Sequence, residues 1–303
     1  MNDQLKAHSA LVSAGLIFGA NYIISKNLMP HYCSPYQIMF FRMIGATTIF
    51  FLLQKFYTPE KVEKKDLLKI AICSLFGIGL NQMLFFIGLN KTTAINAAII
   101  HACSPVVVLL FSFIIIKEVI SFHKVLGIIL GISGAFIMIL YKKNMSFAST
   151  TMIGDLLIFV NIVSYSLYLV LVKPLMHKYK PLTVMKWIFV FGSMYVLPVT
   201  SYSMIHMNWA GMDSYAWISI FYIIIATTVI AYLLTIYSLQ HVNATVVGFY
   251  IYLQPIFATI IALIIGTEIL TIEKILSATL IFVGVYLVSK RNGKSEQMPE
   301  RNQ

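Results

Sequence analysis

Residues 104–118 read SPVVVLLFSFIIIKE, and residues 254–268 read QPIFATIIALIIGTE. Each stretch places a proline thirteen residues ahead of a glutamate, with almost only apolar side chains between them. A shift of 150 residues aligns Pro105 with Pro255 and Glu118 with Glu268. Over residues 105–139 the same shift aligns six more identical pairs: Lys124 and Lys274, Gly134 and Gly284, Leu126 and Leu276, Leu130 and Leu280, Ile114 and Ile264, and Ile115 and Ile265. Because apolar residues coincide by chance in such segments, the proline, glutamate, lysine and glycine pairs are the evidence for an internal repeat.

The composition indicates an integral membrane protein. Of 303 residues, 59% are hydrophobic and 11% are charged, with a mean hydropathy of +0.85, whereas soluble proteins carry about 25% charged residues. A helix of about 20 apolar residues crosses the hydrocarbon core of a bilayer. The sequence predicts an all-α membrane protein with ten transmembrane helices and short loops: 8–26, 35–54, 67–89, 93–116, 124–141, 154–173, 182–203, 214–239, 244–266 and 272–289.

The repeat divides these spans into two groups of five. We predict a first five-helix repeat in residues 1–143, a second in residues 152–290, and a disordered cytoplasmic tail in residues 291–303. Because five is an odd number, the second repeat enters the membrane in the opposite orientation. Inverted repeats are typical of secondary transporters, whose substrate site lies between the repeats near the middle of the membrane.

The basic residues predict the orientation of the chain. With the N-terminus in the cytoplasm, sixteen Lys and Arg residues fall on the cytoplasmic side and five on the other. Lys and Arg accumulate in cytoplasmic loops, so we expect both termini in the cytoplasm of a bacterial-type inner (plasma) membrane. This topology accounts for the net charge of +11, and no nucleic-acid partner is implied.

Several segments carry a family resemblance through their order and spacing. They are FGANYIISK (18–26), SPYQIMFFR (34–42), the two proline stretches quoted above, and YLLTIYSLQHVNAT (232–245). Over roughly residues 8–290 the chain resembles the EamA-type carriers of the drug/metabolite transporter superfamily. The resemblance implies a ten-helix inverted-repeat fold and the export of amino acids, metabolites or toxic small molecules. The first span lacks the membrane glutamate of the related small multidrug pumps, so the resemblance does not extend to their proton site.

Arg42 is the most informative polar residue within a predicted span. It lies about seven residues into the second span, ~10 Å from the start of the helix at 1.5 Å per residue. Charged residues at such depth are costly and are therefore functional candidates, and the sequence offers no acidic partner at similar depth. Two interpretations stay open: Arg42 binds an anionic substrate group with its planar guanidinium, or it braces helix ends and extends to the outer interface.

Other polar and aromatic residues within spans complete the predicted substrate site. Amides within spans either hold helices together or contact substrate, and His101 either donates to a free carbonyl or relays protons. The tyrosines in this set neighbour polar positions in the spans and are therefore expected to face the cavity. Together with Arg42, the predicted substrate-binding residues are Asn21, Tyr22, Asn81, Gln82, His101, Asn161, Tyr165, Tyr168, Tyr250 and Gln254.

The repeated prolines and glutamates suggest roles in shaping the spans. Pro105 and Pro255 are predicted to kink the fourth and ninth spans around a cavity, since proline removes a backbone hydrogen bond. Glu118 and Glu268, at the ends of those spans, either cap the helix or contact the loop lysines Lys117 or Lys274, or they take part in gating or proton coupling.

The sequence favours a secondary transporter that works by alternating access, most simply an exporter of amino acids or related compounds. The alternative is a flippase for a lipid-linked intermediate, which the same fold could serve. An integral membrane enzyme is disfavoured because the chain has no HExxH or GxSxG motif and no paired carboxylates in one span. We predict no metal and no cofactor, a small-molecule substrate within a lipid bilayer, and a monomer, since two fused repeats remove the need for a dimer.

Overall fold

The computed structural model describes residues 3–29, 31–56, 60–92, 97, 100–101, 103–140, 149–265 and 271–289. Every regular element in these residues is a helix. We number the α-helical elements, two of which include a π-helical stretch, in chain order: α1 Asp3–Leu28, α2 Pro35–Phe56, α3 Lys64–Lys91, α4 Ser104–Ile116, α5 Phe122–Leu140, α6 Ser149–Lys178, α7 Pro181–Ile205, α8 Ser214–His241, α9 Ala244–Phe249, α10 Leu253–Ile264 and α11 Ile272–Ser289. Short 3₁₀ helices occupy Trp209–Gly211 and Tyr250–Tyr252.

Six of these helices, α1, α2, α3, α6, α7 and α8, are long and apolar enough to cross a membrane. Shorter apolar helices occupy Ser104–Ile116, Phe122–Gly134, Ala244–Ala258 and Ile275–Val288. Large apolar side chains are exposed along them, including Phe122 at 76% and Ile264 at 80%, as expected for surfaces that face lipid tails. The prediction of an all-helical, multi-pass membrane protein is confirmed at this level.

The helix boundaries recur at the same spacing as the sequence repeat. Helices α3 and α8 each contain 28 residues, and their ends at Lys64 and Lys91 recur 150 residues later at Ser214 and His241. Each of the two helices contains a π-helical segment, Leu75–Leu80 in α3 and Ile223–Ile230 in α8. Such wide turns inside α-helices are frequently found at functional sites, and here they precede cavity-lining positions in both helices.

Helix packing crosses the boundary between the two halves of the sequence. The first helix of the first half, α1, packs on α8 and α10 from the second half, and α6 packs in the corresponding way on α3 and α4. The remaining long pairs are α2 with α7 and α5 with α11. We call α1, α8 and α10 unit one, and α6, α3 and α4 unit two.

Small residues allow the closest of these contacts. A Cβ atom added at Gly154 of α6 would lie 2.7 Å from the backbone nitrogen of Thr92, and one added at Gly284 of α11 would lie 2.7 Å from the carbonyl oxygen of Gly127. Real Cβ atoms do not approach so closely. The backbones of α5 and α11 are therefore in direct contact, as in other membrane helix pairs with small interface residues.

Hydrogen bonds between helix ends define the two faces of the molecule. On face one, where α1 begins, Ser238 Oγ donates to the Ala7 carbonyl oxygen at 2.9 Å, so α8 ends there. On face two, where α1 ends, the Tyr32 hydroxyl donates to Asp213 Oδ2 at 2.8 Å just ahead of α8. Gln37 Nε2 donates to the Ser203 carbonyl oxygen at 2.9 Å on the same face.

A cluster of charged residues ties α3 to α6 on face one. Asp66 is only 2% exposed, and it accepts hydrogen bonds from Lys178 Nζ at 2.6 Å and from the Tyr179 hydroxyl at 2.8 Å. Lys178 Nζ also donates to Glu63 Oε1 at 2.5 Å. In this cluster Tyr179, just after α6, bonds to Asp66 at the start of α3. The pair of Tyr32 and Asp213 on face two is equivalent: Tyr32 follows α1, and Asp213 directly precedes α8.

The repeated prolines lie at corresponding places in the structure. Pro105 lies in the first turn of α4, after a turn at Cys103, and Pro255 lies in the first turn of α10, directly after the 3₁₀ helix Tyr250–Tyr252. At a helix start the missing N–H of proline has no helical partner to lose, which fits Pro105. Pro255 lies within the helical run Ala244–Ala258, and the kinks predicted at both prolines stay predictions.

The partner of Glu118 also differs from the expectation. Lys124 Nζ donates to Glu118 Oε1 at 3.1 Å, and both side chains are 6% exposed. The expected lysine, Lys117, instead ends α4 in a left-handed conformation with φ of 53°. Its backbone turns the chain so that Glu118 N–H returns to the Ser112 carbonyl oxygen at 3.0 Å. Glu268 lies outside the described residues.

The hydrogen bonds of Asp213 predict a pH-dependent contribution to stability. Two hydrogen bonds hold the pKa of Asp213 below its usual value of 3.8. The bond from the Ala216 N–H has the larger effect, and the bond from the Tyr32 hydroxyl comes next. A carboxylate with a lowered folded-state pKa stabilises the fold above its unfolded pKa, and this contribution is lost as the pH falls further. We expect Asp213→Asn to lower the melting temperature at pH 6, and the difference from wild type to shrink below pH 3.8. Tyr32→Phe keeps the Ala216 bond and should lower the melting temperature by less. If the difference in melting temperature between Asp213→Asn and wild type does not depend on pH, this account is contradicted.

Candidate functional site

A cavity of about 100 Å³ lies between unit one and unit two. Its wall combines polar and aromatic side chains from α1, α2, α3, α6 and α8, from the residues around the start of α4, and from the segment joining α9 to α10. The lining residues are Phe18, Asn21, Tyr22, Arg42, Asn81, Gln82, Phe85, Phe86, His101, Ser104, Asn161, Ile162, Tyr165, Thr227, Tyr232, Ile251 and Gln254. A water molecule needs only about 10–15 Å³ on the same measure, so the cavity has room for several waters or a small ligand.

Arg42 is the charged residue of this wall. It is 5% exposed, and its guanidinium carbon lies 5.3 Å from the centre of the Phe86 ring, in a cation–π contact. Its Nε atom has no hydrogen-bond partner, and within the described part of the chain no acidic side chain forms an ion pair with it. The cavity lining contains no Asp or Glu. The guanidinium is therefore buried without a counter-ion.

Two amide side chains lock α3 to α6 within unit two. Asn161 Nδ2 donates to the Asn81 carbonyl oxygen at 2.6 Å, and Asn81 Nδ2 donates to the Asn161 carbonyl oxygen at 3.3 Å. Asn81 directly follows the π-helical segment of α3. Both bonds use backbone oxygens, so they position the two helices and leave Asn161 Oδ1 without a partner.

A second polar contact joins the two units across the cavity. Gln82 Nε2 donates to the hydroxyl oxygen of Tyr232 at 3.2 Å, which connects α3 to α8. These residues are 150 positions apart, so they occupy equivalent places in the sequence repeat. Because the Gln82 amide nitrogen is used in this way, its Oε1 remains buried without a partner.

Aromatic rings and short polar side chains complete the wall. His101 contacts Tyr22 and Phe85 edge-on, with ring centroids 6.3 and 5.7 Å apart, and its Nε2 has no partner. Asn21 Oδ1 accepts hydrogen bonds from Ser25 Oγ at 3.0 Å and Thr227 Oγ1 at 3.3 Å, which connects α1 to α8 within unit one. The wall thus offers one cation, unpaired amide oxygens, an imidazole nitrogen and aromatic faces.

The structure brings together most of the residues that the sequence singled out. Nine of the eleven predicted substrate-binding residues line this cavity: Asn21, Tyr22, Arg42, Asn81, Gln82, His101, Asn161, Tyr165 and Gln254. Tyr168 lies outside it, with its ring packed against Gly77. Tyr250 lines a smaller adjoining cavity of about 20 Å³ on the side of face one, where its hydroxyl is hydrogen-bonded to His8 Nδ1 at 2.8 Å.

Sequence reasoning missed several members of the wall. Tyr232 and Thr227 lie in α8, and Phe18, Phe85 and Phe86 contribute much of the aromatic surface. Tyr232 could have been found from the sequence, because the 150-residue repeat makes its position equivalent to that of Gln82. The phenylalanines could not have been found in this way, because an apolar sequence does not distinguish phenylalanines that face lipid from those that face a cavity.

Comparison with known proteins identifies the fold and the family. The model of the EamA-like transporter family matches residues 5–140 and again residues 152–290. A crystal structure that shares 15% sequence identity superposes with a TM-score of 0.76, covering 93% of this chain and 95% of that chain. At that identity the match shows a shared fold.

Several curated relatives are transporters by name. An uncharacterized transporter from Archaeoglobus fulgidus is 25% identical over 289 residues, which covers 94% of this chain and 98% of the relative. The uncharacterized transporter YyaM of Bacillus subtilis is 24% identical and covers 94% of both chains. A shorter match, 26% identical over 126 residues and covering 41% of this chain and 39% of the relative, is to an S-adenosylmethionine/S-adenosylhomocysteine transporter of Chlamydia muridarum.

The amide bonds to backbone oxygens predict additive effects of replacing Asn81 and Asn161. Each side chain donates to the backbone oxygen of the other residue, which alanine retains, so each replacement removes one bond and leaves the other. We expect Asn81→Ala and Asn161→Ala each to lower the free energy of unfolding by about 0.6–1.7 kcal/mol, and the double variant to lower it by about the sum. Reversible unfolding of the purified protein in mixed micelles measures these changes. The matched control is Thr279→Ala, which removes only a hydroxyl bonded within its own helix at Ile275; losses at Asn81 and Asn161 no larger than this control contradict the assignment.

Proposed function

Because the chain belongs to the EamA-like transporter family and is a membrane transporter, we propose that it carries a small metabolite through the central cavity by alternating access. The observation that supports this is the cavity itself, which lies between two packed units and is lined by buried polar groups without partners. Buried polar groups normally have hydrogen-bond partners, so their concentration at one place favours a ligand site. The family and its relatives indicate a transporter rather than an enzyme.

The proposed architecture is ten transmembrane helices in two inverted five-helix repeats, residues 1–143 and 152–290. The 150-residue spacing of helix ends and of the π-helical segments supports it. So does the exchanged packing, in which α1 contacts α8 and α10 while α6 contacts α3 and α4. We place both termini in the cytoplasm of the inner membrane, so that face one is the cytoplasmic face and a single chain is sufficient.

Hydrogen bonds join the two units at face one. At face one, Lys173 Nζ of α6 donates to the carbonyl oxygens of Leu239 and Val242 at the end of α8. Gln240 of α8 donates to the Met176 and Tyr179 carbonyl oxygens at 2.9 and 3.3 Å. Opening of the cavity at face one requires these bonds to break.

We propose export of amino acids or related compounds. A partial relative is named for S-adenosylmethionine, a compound that carries an α-amino acid group, and the cavity combines a cationic group with unpaired hydrogen-bond acceptors. A flippase for a lipid-linked intermediate is less well supported, since about 100 Å³ enclosed by helices on several sides suits a compact soluble molecule. The test is counterflow of radiolabelled amino acids into liposomes containing the purified protein. Saturable uptake of at least one class supports the proposal, and no saturable flux for any class contradicts it.

The face-one contacts predict the effect of replacing Lys173. Lys173→Met removes two charge-assisted bonds, each worth about 1.5–3 kcal/mol, and a change of 1.4 kcal/mol is tenfold in an equilibrium. We expect a cysteine at Thr235, which lines the small cavity toward face one, to react with a membrane-impermeant maleimide at least about tenfold faster in this variant. The background lacks Cys33, Cys73 and Cys103.

The matched control is Lys186→Met, because Lys186 packs over Phe51 and Trp187. Equal labelling rates for Lys173→Met and Lys186→Met contradict the assigned role of Lys173.

A further inference from the structure

The charge of the central cavity is unbalanced. Arg42 is buried there, and no Asp or Glu belongs to the lining. Removing an arginine from water is costly unless a carboxylate or other anion compensates it, and the Phe86 ring supplies only part of that compensation. The protein therefore retains a positive charge in the cavity that no described side chain neutralises. A bound anionic ligand can neutralise it.

The surroundings of Arg42 distinguish a binding role from a bracing role. An arginine that braces helix ends directs its N–H groups to carbonyl oxygens or carboxylates nearby. In the part of the chain that the structure describes, Arg42 forms no such bond, and its Nε is unpaired. The aromatic contact fixes the plane of the guanidinium while leaving its donors unused, which suits the two parallel hydrogen bonds that a carboxylate accepts.

Two further unpaired atoms indicate what else the ligand carries. In the structure the amide nitrogens of Gln82 and Asn161 donate to the Tyr232 hydroxyl and to the Asn81 carbonyl oxygen. Because a carbonyl oxygen can only accept, the second bond sets the orientation of the Asn161 amide. Gln82 Oε1 and Asn161 Oδ1 consequently remain as acceptors without donors. An acceptor buried in this way is satisfied by an N–H or O–H group of a ligand.

Building on the proposed transport function, we propose that the cavity recognises a small amphoteric organic acid. Its carboxylate binds Arg42, and its amino group donates to the oxygens of Gln82 and Asn161. The volume of about 100 Å³ limits the ligand to a compact molecule, and the aromatic rings around it accommodate the apolar part. An α-amino acid satisfies all of these requirements, whereas a neutral ester or a simple amine leaves the charge of Arg42 uncompensated.

The test measures binding separately from transport. The purified protein in nanodiscs is screened with the twenty proteinogenic L-amino acids by thermal stabilisation, because a ligand that binds the native state raises the melting temperature. For the strongest binder, the dissociation constant is compared with those of its methyl ester and of its analogue without the amino group. Loss of a charge-assisted hydrogen bond weakens binding by roughly tenfold or more, so we expect a drop of at least about tenfold for the ester and a smaller drop for the deaminated acid.

Variants of Arg42 distinguish recognition from structural support. Arg42→Lys keeps the charge but loses the paired geometry, and we expect roughly tenfold weaker binding of the amino acid. Arg42→Gln should bind the acid and its ester equally. Without ligand, Arg42→Gln should melt at the wild-type temperature or above it, because it removes an uncompensated buried charge, whereas a bracing arginine would lower that temperature when lost. The matched control, Lys186→Gln, should leave all affinities unchanged.

The outcomes for binding and for transport are distinguishable. Equal affinities for acid and ester, no stabilisation by any amino acid, or an Arg42→Gln variant that melts lower and still prefers the acid would overturn the inference. The transport proposal survives such results if a neutral compound shows saturable counterflow. If binding at Arg42 depends on the carboxylate but no compound shows flux, the inferred carboxylate site is supported. The transport proposal is then overturned.

Discussion

Within the hydrocarbon core of a membrane, every polar group must find its partner inside the protein. This requirement explains why every regular element in the described residues is a helix, since a helix satisfies its own backbone. It also explains the contacts between helices: Asn81 and Asn161 bond to each other's backbone, and Lys173 bonds to the carbonyl oxygens at the end of α8. Against this background, four of the buried side-chain atoms without partners belong to residues of one cavity, Arg42, Gln82, His101 and Asn161, which favours a ligand there.

The two packed units do not correspond to the two halves of the sequence. Each unit combines the first helix of one half with the third and fourth helices of the other. Tyr32 with Asp213, and Tyr179 with Asp66, reinforce this exchange at opposite faces. Because each unit is held together along its full length, movement is expected at the boundary between units, where the cavity lies and where Gln82 reaches Tyr232.

The sequence predicted the fold class and most of the cavity wall, for a physical reason. Polar residues are rare in membrane helices, so Arg42 and the amides were conspicuous, and the 150-residue repeat matches the spacing between the ends of α3 and those of α8. Predictions failed where the outcome depended on three-dimensional neighbours. Nothing in the sequence distinguished Tyr168, which packs on Gly77, from Tyr165, which faces the cavity. Likewise, the left-handed turn at Lys117 directs Glu118 to Lys124, a pairing that sequence proximity alone did not suggest.

The central claim is that the two units move against each other and open the cavity at one face at a time. Distances between spin labels, measured by pulsed electron paramagnetic resonance, test this claim most directly. One pair of labels, on Asn27 of α1 and Asn90 of α3, lies near face two. The other pair, on His177 of α6 and Tyr237 of α8, lies near face one. The account predicts that when conditions change from ligand-free to saturating substrate, one distance distribution lengthens as the other shortens. Distances within unit one, such as that between Asn27 and Tyr215, should stay constant. Distributions that change together at both faces, or in neither pair, would contradict the account.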